Sequence, residues 1–166
     1  MSFDVGAWET RYYDTILIGN TSGLVLYKPR VWEEGSTHGG LISDPPIEVD
    51  TLFDTILMAE NKDGMTDYRK CHLMNTDASE TGDKVIRAIA FLPMGLQGRL
   101  TVSIAAGQDW DYGPHKPADT AFSDKLSINL GAGTIQPIWI KRTINAGGDH
   151  PGNYLNIPIR IVVSGA

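Results

Sequence analysis

Three stretches of this chain carry residue types that can do chemistry: "KCH" from Lys70 to His72, "QDWDYGPHKPAD" from Gln108 to Asp119, and "GGDHPGN" from Gly147 to Asn153. Cys71 and His72 would make a thiolate-imidazole couple if their side chains met, but neighbours on a strand point to opposite faces. The pair therefore reads as a buried thiol acting as a small hydrophobe, beside a histidine that is solvated or caps a turn. In the second stretch Asp109, Asp111, His115 and Asp119 offer oxygen and nitrogen ligands, yet the central glycine and closing glutamate of a calcium loop are missing. A hydrated loop is expected there. Asp149 and His150 lie in a Gly-rich turn that leads into a proline and a strand, whereas phosphate loops and dinucleotide fingerprints need a helix directly after the glycines. There is no Gly-x-Ser-x-Gly elbow and no His-Glu-x-x-His run, and the four histidines fall in four separate segments. We assign no catalytic, metal-binding or cofactor-binding residue, and expect no cofactor and no enzyme.

The same segments are richer in aromatics suited to contact than in reactive groups. Trp110 and Tyr112 flank Asp111 on a loop, where aromatics serve as interface anchors or tuck back over a sheet edge. Near the start, Phe3, Trp8, Tyr12, Tyr13 and Trp32 form a second set of candidate anchors. The formal net charge of −6 argues against nucleic acid, whose binders need clustered cations, and against an anionic membrane surface. Lys141 and Arg142, with Arg69 and Lys70, would make at most a local positive patch. They are expected to snorkel from strand faces or to pair with acids of neighbouring subunits. The one cysteine excludes an intrachain disulfide and a multi-cysteine zinc site. The opening "MSFDVGAWETRYYD" has acids and no continuous apolar run, so it reads as neither a secretion signal nor a membrane span.

The elements that must hold these residues are strands. Eighteen glycines and nine prolines leave few windows for a helix, and between them lie "DTILIG", "LVLYKPRVW", "YRKCHLMN", "KVIRAIAFLP", "RLTVSIAAG", "KLSINLG", "PIWIKRTI" and "IPIRIVVSG". Eight such runs spell an all-β fold, a single β-sandwich of about one domain. In "PIWIKRTI" the residues Ile138, Ile140, Arg142 and Ile144 share one face and Trp139, Lys141 and Thr143 the other, so neither face is purely apolar. "IPIRIVVSG" alternates more cleanly, with Ile157, Ile159, Ile161 and Val163 facing a core. Pro158 marks that strand as an edge, or as paired on one side only at that point. The segment "PPIEVDTLFDTILMAENKDG" is the place for the one short helix, because Val49, Leu52, Phe53 and Ile56 follow a helical spacing; an irregular crossing between sheets is the alternative. Residues 1–46 look less regular and would form an N-terminal arm or edge hairpin, with the sandwich spanning 47–166. An ordinary pair of docked strands is the other reading of that segment.

Two stretches together resemble structural proteins of tailed-phage particles. "DTLFDTILMAENKDGMTDYRKCHLMNTDASETGDKVIRAIAFL" is similar to a block that opens on a Leu-Phe-Asp step, here Thr51-Leu52-Phe53-Asp54. The block runs through a strand matching Gly64 to Cys71 into an Asn-Thr turn, here Asn75-Thr76. "LGAGTIQPIWIKRTINAGG" resembles a Pro-Gly turn followed by an Ile-Trp-Leu-Lys-Arg-Thr strand and an Ala-Gly end. The resemblance covers about residues 40 to 166. This chain departs from it at "LGAG" in place of Pro-Gly, at Lys70 before Cys71, and in the "AGQDWDYGPHKP" loop, which has no counterpart.

The resemblance implies an Ig-like or jelly-roll sandwich with a non-enzymatic, structural role in the virion. A capsid decoration or cement protein, made in the host bacterial cytoplasm, is the first expectation. Its partners would be the major capsid protein and copies of itself, with a trimer natural on a lattice. A tail, neck or baseplate component is the alternative. A carbohydrate-binding module using Trp110 and Tyr112 is a further one, from another class.

Overall fold

The structure, a computed structural model, describes residues 15–19, 23–30, 37–49, 52–53, 56–76, 83–90, 99–111, 115–147 and 159–165. Within them the chain forms β1 (Thr15–Gly19), β2 (Leu24–Tyr27), β3 (Thr37–His38), α1 (Met58–Asp63), β4 (Met65–Asn75), β5 (Asp83–Ala90), β6 (Leu100–Ala106), β7 (Leu126–Asn129), β8 (Ile135–Ile144) and β9 (Ile159–Gly165). All eight expected strands are present. The two-residue β3 is additional, too short to leave a pattern in the sequence.

The strands make two sheets packed face to face, the all-β sandwich expected. One sheet has the order β1-β9-β5-β7, and the other has β2-β4-β8-β6 with β3 also paired to β4. β2 and β3 share one edge of β4, β2 opposite Asn75 to His72 and β3 opposite Tyr68 and Arg69. From β4 onward every connection crosses the sandwich, so neighbours in each sheet come from distant parts of the sequence. Loop-closure entropy makes such pairing slow to form.

Within residues 1–46, β1, β2 and β3 lie at outer positions of the two sheets. Backbone bonds run across Pro45-Pro46, from Lys28 N–H to Ile47 C=O at 2.7 Å and from Val49 N–H to Leu26 C=O at 2.8 Å.

Ile86 and Ala88 of β5 and Ile159, Ile161 and Val163 of β9 face Cys71 and Leu73 of β4, Ile138 and Ile140 of β8 and Ile104 of β6. The alternation read in β9 holds, but the strand is not an edge: β1 lies parallel on one side and β5 antiparallel on the other. The described ladder starts at Ile159, and Pro158 lies outside the described residues. The helix α1 forms at the end of the segment expected to hold it, but not at the four residues whose spacing suggested it: Val49, Leu52, Phe53 and Ile56 are buried in the sandwich without being helical, with Val49 tied to β2. Burial on one side of a non-helical segment produces the same short apolar spacing as a helix face. The Leu57 N–H donates to the Glu60 carboxylate at 2.8 Å, and Gly64, with φ of 84°, stops the helix by donating its N–H to the Glu60 carbonyl.

One end of the core is ionic. Arg142, 1% exposed, pairs with Asp67 across the β4–β8 ladder at 3.2 Å. Its guanidinium lies 4.5 Å from the centre of the Phe53 ring, and Arg69 sits 5.2 Å from that ring. Burial lowers the pKa of Arg142, and Asp67 opposes the shift. Arg142 and Arg69 are therefore not surface cations awaiting a neighbouring subunit; the cross-strand carboxylate and the aromatic face keep them inside. Asp67→Ala would strand a buried charge and should cost about 3 kcal/mol in urea unfolding, whereas Asp67→Leu with Arg142→Met should recover most of that loss.

Candidate functional site

The outer face of the β2-β4-β8-β6 sheet presents Tyr68, Lys70 and His72 from β4, Trp139 and Lys141 from β8, and Ser103 and Ala105 from β6. A sandwich sheet with one free face would leave these residues wet. Here the chain after β6 folds back over them, so both faces of β4 are covered from Tyr68 to Leu73. Trp139 is 0% exposed, and it is the outer face it fills, not the inner core. Two glycines make room for its indole. A Cβ on Gly107 would come within 2.7 Å of the ring, and one on Gly39 would collide with its far edge.

Lys70 fastens this cover. Its side chain is 0% exposed, and its ammonium donates to the carbonyls of Gln108 at 2.5 Å, Asp109 at 3.0 Å and Asp111 at 3.2 Å, while pairing with the Asp111 carboxylate at 2.5 Å. The other Asp111 oxygen accepts the Gln108 N–H at 2.9 Å, and the Asp111 carbonyl also receives the Gly40 N–H at 2.7 Å. Burial pulls the Lys70 pKa down while Asp111 opposes the shift. An ammonium surrounded by carbonyls and one carboxylate is what a metal ion would otherwise supply to such a turn. The loop's cation is a residue of the chain itself.

His72 lies on the same face, and it is buried rather than solvated or capping a turn. Desolvation and then the charge of Lys70 push its pKa down to about 4, so it is neutral at pH 7. Cys71 points the other way into the core, where burial pushes its thiol pKa up. Further along, Asp119 accepts the Tyr68 hydroxyl at 2.6 Å and lies 3.5 Å from Lys116 and 3.6 Å from Lys141. The hydrogen bond from Tyr68 is the main cause that lowers the Asp119 pKa. Desolvation first, then that same bond, raises Tyr68 to about 12. Lys116 sits 4.1 Å over the Tyr68 ring and Lys141 5.8 Å over Phe122. Lys141 thus pairs within its own chain.

The possible ligand set is thereby divided. Asp111 serves Lys70, Asp119 serves Tyr68 and its lysines, and His115 leans on Trp110, ring centres 5.4 Å apart and 60° between planes. Among the described residues no three His, Cys, Asp or Glu side chains gather into a group that could hold a metal. Trp110 is 53% exposed at the tip of the fastened turn and borders an open cleft of about 410 Å³ with Gln108, His115 and Pro117. Phe3, Trp8, Tyr12, Tyr13, Trp32 and Tyr112 lie outside the described residues, as do Asp149 and His150. Sequence reasoning picked out Trp110 but missed Lys70 as its support, because a lysine on a strand ordinarily points to water.

Two outcomes test this geometry. Lys70→Met keeps the stem but leaves the Asp111 carboxylate unpaired, so unfolding free energy should drop by about 3–5 kcal/mol and the Gly40 amide should exchange faster; Lys70→Arg should not restore it, since a planar fork does not fit a cage of converging carbonyls. Protonation of His72 begins near pH 6.5 in the unfolded chain but only at about pH 4 in the folded one, so its share of stability is lost as pH falls through that window. The stability difference between the wild type and His72→Gln should therefore decline from pH 7 to 4 and level off below; a difference independent of pH would contradict it. A comparison of the chain with protein-family models, with curated proteins and with solved structures finds no match to any of them.

Proposed function

We propose that the chain is a non-enzymatic structural protein of a tailed-phage virion, and that it binds the capsid lattice as a decoration or cement protein. The observation that carries this reading is the pairing of the two stretches that bear the resemblance. Residues Met65 to Met74 and Ile135 to Ile144, far apart in sequence, are one continuous antiparallel ladder, with Cys71 opposite Ile138 and Lys70 opposite Trp139. The motif residues are thus accounted for as the spine of a sandwich. Their side chains go to packing and to intrachain ion pairs, which fits a part whose task is to be rigid and to bind.

A cement protein stabilises by mass action, since it binds the assembled lattice and not free subunits. Many identical sites then favour symmetric copies, a trimer at a local threefold being the natural arrangement. Phe3, Trp8, Tyr12, Tyr13 and Trp32 would be its anchors toward the capsid or toward other copies. A tail, neck or baseplate position needs the same sandwich with a different neighbour.

The test is immunogold labelling of gradient-purified phage particles with antibody to this chain. Label spread over capsid faces is expected, and Phe3→Ala with Trp8→Ala should lower the occupancy several-fold. Label confined to tails would move the chain to the tail-associated alternative, and a chain found only in the soluble fraction would overturn the virion reading.

A further inference from the structure

Trp110 stands between Asp109 and Asp111, and the backbone carbonyls of both are held by Lys70. The turn is fixed on either side of an indole that is nevertheless 53% exposed. The part of the indole that stays in water gains nothing for the fold, because that apolar surface remains solvated. The cleft beside it, about 410 Å³, falls within the roughly 300–1,000 Å³ of small-molecule sites. Ala106, Pro117 and the indole supply apolar surface, and Gln108 and His115 supply polar groups at the rim.

Among the described residues that line the cleft the one carboxylate, Asp111, is paired with Lys70 at 2.5 Å, and none of them is a lysine or arginine. Polar Gln108 and His115 share the described lining with the indole, Ala106 and Pro117, an apolar platform with hydrogen-bonding groups beside it. From this geometry we infer that the Trp110 cleft binds a neutral saccharide. One face of a pyranose ring, rich in C–H, stacks on the indole while its hydroxyls reach Gln108 and His115, and the preset turn spares the ordering entropy of binding.

This binding is independent of where the chain sits on a particle, so it is read on the purified full chain. The probes are maltohexaose, cellohexaose, chitohexaose, mannohexaose and a galactan, titrated calorimetrically and by tryptophan fluorescence. Binding of at least one is expected. Trp110→Ala should weaken it at least tenfold with the melting temperature unchanged, and Trp110→Tyr should retain more affinity than Trp110→Ala. The inference is overturned if no probe binds or if Trp110→Ala binds as the wild type does. It is overturned as well if Trp110→Ala removes the chain from particles while no glycan binds, since the indole would then be a protein contact.

Discussion

The β4–β8 ladder buries a cation on each of its faces, and the rest of the structure is arranged to neutralise them. Arg142 is on the inner face and Lys70, one register step past Arg69, on the outer. A charge removed from water costs several kcal/mol unless it finds an opposite charge and enough acceptors. On the inside the answer is local, since Asp67 faces Arg142 across the ladder and Phe53 covers the guanidinium. On the outside the ladder offers nothing comparable, and the acceptors come from the loop after β6, drawn back over the sheet. Lys70 is therefore the reason that loop has a fixed conformation, and the loop is the reason Lys70 can be buried.

This exchange also explains why Trp139 can lie on the outer side of a sheet without reaching water. Gly107 and Gly39 bring backbone against its ring from two directions, and Asp111 is joined to both neighbourhoods, through Lys70 on β4 and through the Gly40 N–H after β3. Ring, ammonium and turn form one small second core outside the sandwich. The Tyr68-Asp119 bond, with Lys116 and Lys141 around it, continues that cover toward the β6–β7 connection.

Legibility in the sequence followed coverage. β5 and β9 keep one wetter face, so their alternation could be read directly, and β9's inward set of Ile159, Ile161 and Val163 was found residue by residue. In β8 both faces are buried from Pro137 to Ile140, which is why "PIWIKRTI" showed no apolar side and why Arg142 was misread as a surface cation. The spacing of Val49, Leu52, Phe53 and Ile56 points at the wrong part of the helical segment because one-sided burial imitates a helical spacing, and the edge reading of β9 fails because from Ile159 onward β1 and β5 flank it. At the candidate site, Trp110 could be selected by type alone, whereas His72 and Lys70 could not. Lys70 is held by a loop 38 to 41 residues further along the chain, and His72 meets the backbone of Gly40, far before it. Yet a trace of the connection was visible. Lys70 and the 106–117 loop both stand out in the sequence as departures from the expected pattern, and the structure binds them to each other.

The manner of that binding bears on what the loop is for. Lys70 recognises Gln108 and Asp109 through their carbonyls, and only Asp111 through its side chain. At positions 108 and 110 its hold on the turn does not depend on the side chains, while the Asp109 carboxylate adds a favourable charge at longer range. A clamp that reads backbone fixes the path of the chain and leaves the tip unconstrained by folding. Residues there can be chosen for what they touch, provided that Asp111 and the close approach at Gly107 are kept. A sandwich whose inner core specifies the fold and whose outer clamp specifies only a path can thus present a rigid tip at position 110 without staking its stability on that residue. The half-exposed indole is held through the backbone on either side of it by Lys70 and packs on the His115 ring.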